Sequence, residues 1–140
     1  MTRKPELAYI ALGSNLGDRD AHLRAARQGL GALPETRVIA ASQVEETAPL
    51  AGMDQPPYLN QMVLLETRLD PRRLLAACQT IERQAGRERT GRWGPRTLDL
   101  DIVRYGGRRV TEPDLIIPHP ELPNRDFWLR ELAELAPYER

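Results

Sequence analysis

Arg92-Trp93-Gly94-Pro95-Arg96-Thr97-Leu98-Asp99-Leu100-Asp101-Ile102 changes character halfway along its length. From Leu98 onward, apolar and acidic residues alternate. In a β-strand this turns Leu98, Leu100 and Ile102 to one face and Asp99 with Asp101 to the other. Alternating Leu and Asp is one way for a half-exposed strand to bury one face. Two carboxylates on one strand face also repel each other unless solvent or a cation lies between them. A hard divalent cation such as Mg²⁺ takes oxygen ligands from one or two carboxylates plus substrate phosphates. Just upstream, arginines flank the turn Trp93-Gly94-Pro95, and guanidinium forks suit phosphate oxygens.

The residues before this strand form a basic connection. From Arg83 to Arg96 there are five arginines against one acid, Glu88. Gly86, Gly91 and Gly94 make the connection deformable, so it reads as a flap able to fold over a phosphate chain. Further upstream, Asp70-Pro71 is a helix start, with Asp as N-cap and Pro at the first helical position. Leu74, Leu75, Cys78 and Ile81 form its buried stripe and Gly86 ends it. Tyr58 to Leu69 is apolar on both faces, which predicts a central strand. Before it come a Pro- and Gly-rich loop, Thr47 to Pro57, and a strand through Arg37 to Glu45. A helix with acids at Asp18 and Asp20 and a stripe of Leu23, Ala26, Leu30 and Leu33 precedes these. The first strand is Leu7 to Leu12.

Downstream, Gly106-Gly107 permits a tight hairpin, with Arg108 to Thr111 returning as a short strand. Leu115-Ile116-Ile117 is another extended piece, closed by Pro118. A last helix starts near Asp126 and stops before Pro137. The order strand–helix–strand–strand–helix–strand predicts an α+β fold: a ferredoxin-like βαββαβ sandwich with an added hairpin and a C-terminal helix. Its helices are expected on one face of a mainly antiparallel sheet. Residues 1–140 read as a single domain.

The formal net charge is zero, so no bulk field draws the chain to nucleic acid or membrane. A local basic loop on a neutral chain points to a small anionic ligand. One cysteine, Cys78, rules out a disulfide within the chain and fits a reducing compartment. No run is long enough to span a membrane. The expected location is the cytoplasm.

Further candidates lie on other elements. Tyr58 and Asn60, two apart on a strand, share a face. An aromatic beside an amide can stack on a heterocycle and read its polar edge; packing accounts for Tyr58 equally well. A buried Asn60 needs a partner, from backbone or ligand. Pro118-His119-Pro120 fixes where an imidazole points, with Arg125 and Phe127 close behind. Gly13-Ser14-Asn15 matches no established phosphate-loop pattern and reads as a strand-to-helix turn.

Together these segments resemble the 6-hydroxymethyl-7,8-dihydropterin pyrophosphokinase family. The resemblance rests on Tyr9-Ile10-Ala11-Leu12-Gly13-Ser14-Asn15-Leu16, Tyr58-Leu59-Asn60, Arg92 to Ile102, and Pro118-His119 with Asn124-Arg125 and Phe127. It implies ATP-dependent transfer of pyrophosphate to the hydroxymethyl group of the dihydropterin, releasing AMP, in folate biosynthesis. It implies two Mg²⁺ ions on Asp99 and Asp101, and catalysis by these acids with Arg87 and Arg96. Gln79, Glu82, Arg89, Trp93, Arg96, Ile102, His119 and Arg125 would bind ATP. Thr47, Leu50, Tyr58, Asn60 and Phe127 would bind the pterin, with Tyr58 and Phe127 flanking its ring. Relatives that stand alone are typically monomeric, so the resemblance implies a monomer. The chain departs from some relatives at Pro120, where they carry an aromatic, and at Asp114, where a basic residue can help hold the nucleotide. Its connection from Gly86 to Trp93 is one residue shorter.

Two other classes share parts of this pattern. A different Mg²⁺-dependent nucleotide transferase also uses paired carboxylates. A non-catalytic ferredoxin-like RNA-binding module needs exposed sheet aromatics and a basic surface; 5% aromatic residues and zero net charge disfavour it.

Overall fold

A computed structural model describes residues 4–48, 56–86 and 97–139. Strand β1 (Glu6–Ser14) leads through a turn to helix α1 (Arg19–Gly31). Strands β2 (Thr36–Ala41), β3 (Glu45–Thr47) and β4 (Tyr58–Thr67) follow. Then come helix α2 (Pro71–Gln84), strand β5 (Asp99–Tyr105), the short strands β6 (Val110–Glu112) and β7 (Leu115–Ile117), and helix α3 (Asp126–Leu135). The main sheet runs β2-β4-β1-β5, with every pair antiparallel, and β3 also pairs with β4. This is the expected α+β, ferredoxin-like order, with β4 and β1 central and β5 at an edge.

Local chemistry sets the helix ends. The Asp18 carboxylate accepts the Ala21 N–H at 3.1 Å and Asp70 accepts the Arg73 N–H at 2.8 Å. Each satisfies an N–H that the first helical turn leaves open, worth about 1 kcal/mol. Gly86, at φ +79°, takes the left-handed turn that ends α2.

The sheet has a core on each face. On one side Ile10, Leu12, Val63, Leu65, Leu100 and Ile102 pack with Leu23, Leu30, Leu74 and Cys78 of α1 and α2. On the other, Tyr9, Ala11, Met62, Leu64 and Val103 pack with Trp128, Leu132 and Leu135 of α3. Helices α1 and α2 share one face, as expected of the ferredoxin-like unit, and the added helix α3 takes the opposite face. The spacing of Trp128, Leu132 and Leu135 shows that one side of α3 is buried but not against what.

Two expectations change. The strand expected through Arg37 to Glu45 is two strands, β2 and β3. Its register against β4 slips between Val38 and Ala40, and residues 42–44 stand opposite only Met62 and Gln61. Side chains bridge this gap: Ser42 Oγ accepts the Met62 N–H at 2.9 Å, and Gln61 Nε2 donates to the Ser42 carbonyl at 2.7 Å. The turn at Gly106-Gly107 exists, but β6 does not return along β5. It pairs with β7 in a separate two-stranded sheet. Arg72 of α2 fastens that hairpin, binding Glu112 and Asp114. Helix α3 exposes Leu129 at 43% and buries Glu131 at 3%.

Candidate active site

Register decides what meets on the α3 side of the sheet. Directly opposed residues of antiparallel strands share a face. Gly13 pairs with Asn60 on one side and Asp99 on the other; Ala11 pairs likewise with Met62 and Asp101. Asp99, Gly13 and Asn60 therefore form one row across three strands, with Asp101 in the next row and Tyr58 beside Asn60 on β4. The middle of the row is nearly bare. A Cβ on Gly13 would lie 3.5 Å from Asn60 Oδ1 and 3.7 Å from Tyr58 Cδ1. Any larger residue at position 13 would fill the floor between the acids and the amide. The sequence showed Gly13 only as a turn glycine; its pairing with two polar site residues needed the register.

Both aspartates are half-buried, as the alternation predicts. An extra residue near Val103 shifts the β1–β5 register between Tyr9 and Ile10. Before it, Leu100 and Ile102 face α1 and α2; after it, Tyr105 does. Beyond the irregularity the Val103 carbonyl accepts the His119 N–H at 3.0 Å. That bond carries the imidazole to the aspartates: His119 Nε2 is 3.8 Å from Asp101 Oδ1. The Glu121 N–H donates to His119 Nδ1 at 3.1 Å, so the ring proton resides on Nε2. Burial, then the nearby Arg125 charge, hold the imidazole below its usual pKa, so it is neutral at pH 7. The ring stands edge-on to Trp128, 4.9 Å between centroids, and the Arg125 guanidinium lies 4.4 Å over the same indole. Phe127 packs against the α3-side core.

Asn60 is buried at 6%, and its Nδ2 donates to Thr47 Oγ1 at 2.6 Å. The partner that the sequence left open is thus a side chain on the neighbouring strand β3. Glu82 is also buried, and its carboxylate accepts the Leu100 N–H at 2.8 Å on the side of β5 away from β1. It serves there as an anchor for the strand that carries the aspartates. Gln79, one turn earlier on the same side of α2, is exposed. Ile102 is buried at 4% in the core beneath α1 and α2, so its side chain does not line a cleft. By strand alternation, its backbone N–H and C=O point as those of Leu100 do, away from β1. Asp114 is occupied by Arg72, at 2.7 Å, and that contact lowers its carboxyl pKa. Leu50, Arg87, Arg89, Trp93 and Arg96 lie outside the described residues.

The family model for 7,8-dihydro-6-hydroxymethylpterin-pyrophosphokinase matches residues 9–137. A 2-amino-4-hydroxy-6-hydroxymethyldihydropteridine pyrophosphokinase of Pseudomonas aeruginosa is 46% identical over 129 residues, covering 92% of this chain and 80% of the relative. The protein of that name from Methylorubrum extorquens is 44% identical, over 93% of this chain and 82% of its own length. Among solved structures, Plasmodium falciparum HPPK-DHPS with pteroate superposes at a TM-score of 0.71 and 15% identity. That match covers 94% of this chain but only 39% of the longer Plasmodium chain, and supports the fold alone. The chain belongs to the 7,8-dihydro-6-hydroxymethylpterin-pyrophosphokinase family.

Proposed function

We infer that this chain transfers pyrophosphate from ATP to the hydroxymethyl group of 6-hydroxymethyl-7,8-dihydropterin, releasing AMP, as a step of folate biosynthesis. One observation carries the reading beyond family membership: Asp99, Gly13 and Asn60 line one row of the sheet, with Asp101 next to it under His119. Acids for a polyphosphate complex and an amide for a heterocycle then border the same open floor.

Asp99 and Asp101 would hold two Mg²⁺ ions. The donor set fits: two half-exposed carboxylates project from one face opposite the small residues Gly13 and Ala11. Among the described residues no three His, Cys, Asp or Glu side chains gather as a cage. Mg²⁺ suits such a site, since it keeps waters and completes its shell with phosphate oxygens. When bound, the ions would neutralise phosphate charge that the attacking oxygen must approach.

The protein groups do the rest. His119 offers its Nε2–H as a neutral donor to a phosphate oxygen, which the Glu121 bond to Nδ1 keeps aimed at the cleft. Arg125 is held over Trp128 and supplies a cation beside it. Arg87, Arg89 and Arg96 would stabilise charge on the transferring and leaving groups, and Trp93 would contribute to ATP binding. ATP would lie along the β5 edge, contacting Gln79, Glu82 and the Ile102 backbone. For the pterin, Tyr58 and Phe127 would flank the ring, Asn60 and Thr47 would read its polar edge, and Leu50 would contribute to binding.

Residues 1–140 are taken as one catalytic domain, acting as a monomer in the cytoplasm. The family match over 9–137 supports the first point. Among the described residues no helix is long and apolar enough to cross a membrane. Product analysis tests the reaction. With ATP, Mg²⁺ and the hydroxymethyl pterin, AMP and a diphosphorylated pterin should form in equal amounts. Release of ADP or of free pyrophosphate would overturn the reading.

A further inference from the structure

Arg19 opens helix α1, outside the row of site residues, yet it reaches both ends of the connection between β3 and β4. Its Nη1 donates to the Pro57 carbonyl at 2.9 Å and lies 3.0 Å from Glu46 Oε2. Pro57 directly precedes Tyr58, and Glu46 directly precedes Thr47. Thr47 and Tyr58 are themselves register partners, the last rung of the β3–β4 ladder. Asn15, in the turn before α1, adds a second tie, its Nδ2 donating to the Pro56 carbonyl at 3.3 Å.

The sequence explains why such ties are needed. Pro56 and Pro57 carry backbone acceptors but no N–H, so the β-ladder cannot continue past Tyr58 through them. Their carbonyls are taken instead by side chains from the start of α1. A guanidinium suits this role because it carries several donors in a planar fork and stays charged at any working pH. With a side-chain exposure of 30%, Arg19 is partly screened from solvent.

We propose that Arg19 is a positioning residue for the pterin pocket, bolting the stems at Thr47 and Tyr58 so that Thr47, Asn60 and Tyr58 hold their ligand-ready arrangement. This rests on the reaction inferred above. The hydrogen bond from Asn60 to Thr47 transmits the constraint: a β3 stem that drifts from β4 takes the Thr47 hydroxyl with it. Asp99, Asp101 and His119 belong to β5 and the segment after it, whereas among the described residues the hydrogen bond and ion pair of Arg19 go to Pro57 and Glu46, at the β3–β4 connection. The effect should therefore fall on one substrate only.

Steady-state kinetics of the full chain tests this. Arg19→Ala should raise KM for the pterin about five- to tenfold, the size of a partly screened charged hydrogen bond. KM for ATP and kcat should stay within about twofold of wild type, and Arg19→Lys should recover part of the loss, because an ammonium keeps the charge but not the fork. Glu46→Gln, which removes the ion pair and spares the Pro57 bond, should give a smaller shift in the same constant. Calorimetric titration of the pterin onto the ATP-analogue complex should show the same order of affinities. An unchanged pterin KM in Arg19→Ala, or equal rises in both KM values, overturns the proposal. A wild-type chain that forms no AMP would instead overturn the reaction itself, so the two failures are distinguishable.

Discussion

His119 Nε2 stands 3.8 Å from Asp101 Oδ1, too far for a hydrogen bond and close enough for one phosphate oxygen to meet both neighbourhoods. The pairing joins a segment held by the Val103 carbonyl to a strand held by β1. Burial and Arg125 lower the His119 pKa in the folded chain, while the unfolded value stays near 6.5. The unfolded chain therefore binds a proton that the folded chain refuses. Stability should fall as pH drops through about 6.5 and keep falling until the folded value is passed. His119→Gln should flatten this part of the curve, seen as a smaller loss of Tm between about pH 7.5 and 5.5 than in wild type.

Asp99→Asn and Asp101→Asn separate chemistry from folding. Both acids are half-exposed and lie outside the two apolar clusters. Each substitution should lower kcat/KM on the order of 100-fold or more, by removing charge that a bound cation needs. Tm should hold within a few degrees, because surface-type changes of this kind cost less than about 0.5 kcal/mol. A collapse of Tm in either variant would make the aspartates structural.

Much of this arrangement was legible in the sequence because its signals are local. The helix start near Asp18, the cap at Asp70, the Pro71 start, the Asp99–Asp101 alternation and the stop before Pro137 each depend on a few neighbouring residues. Features set by distant partners were not legible. The division of the Arg37–Glu45 strand follows from its slipping register against β4, and the hairpin of β6 with β7 from a partner other than β5. Ile102 shows the limit at the site itself: alternation placed its side chain with Leu100 in the core, and the family resemblance placed it at the nucleotide. Both can hold only if the backbone makes the contact. Gly13 and Glu131 were missed because neither has a side-chain pattern that reveals its neighbours.

Glu131 gives a stability prediction. It faces the sheet from α3, exposed at only 3%, and neither carboxylate oxygen has a hydrogen-bond partner among the described residues. Burial first, then the charge of Glu45, outweigh Arg130 and push its pKa up to about 8. The unfolded carboxyl ionises near pH 4.3, so between that pH and about 8 the unfolded chain has released a proton that the folded chain keeps. This group's contribution to stability is therefore full below about pH 4.3 and is lost as pH rises toward 8. Glu131→Gln keeps the shape without the titration. It should stabilise the chain by about 3–4 kcal/mol at pH 7, with the gain vanishing near pH 4, as read by urea unfolding at the two pH values. A gain that is the same at both would show that Glu131 is not held protonated.

The bond from Asn60 to Thr47 gives a test of the pterin side. At 2.6 Å, between a 6% exposed amide and a hydroxyl on the neighbouring strand, it fixes which way the Asn60 side chain is turned. Thr47→Val keeps the shape and the strand preference of position 47 but removes the acceptor. Asn60 then retains a buried N–H without its partner, costing about 1–2 kcal/mol of stability. The amide is also free to turn, so its carbonyl and amino ends no longer present a fixed pattern to a heterocycle. Pterin KM should rise while ATP KM stays put, and Thr47→Ser, which restores the hydroxyl, should recover most of the difference. If Thr47→Val loses stability but keeps its pterin KM, the bond only braces β3 against β4 and the amide is oriented by something else.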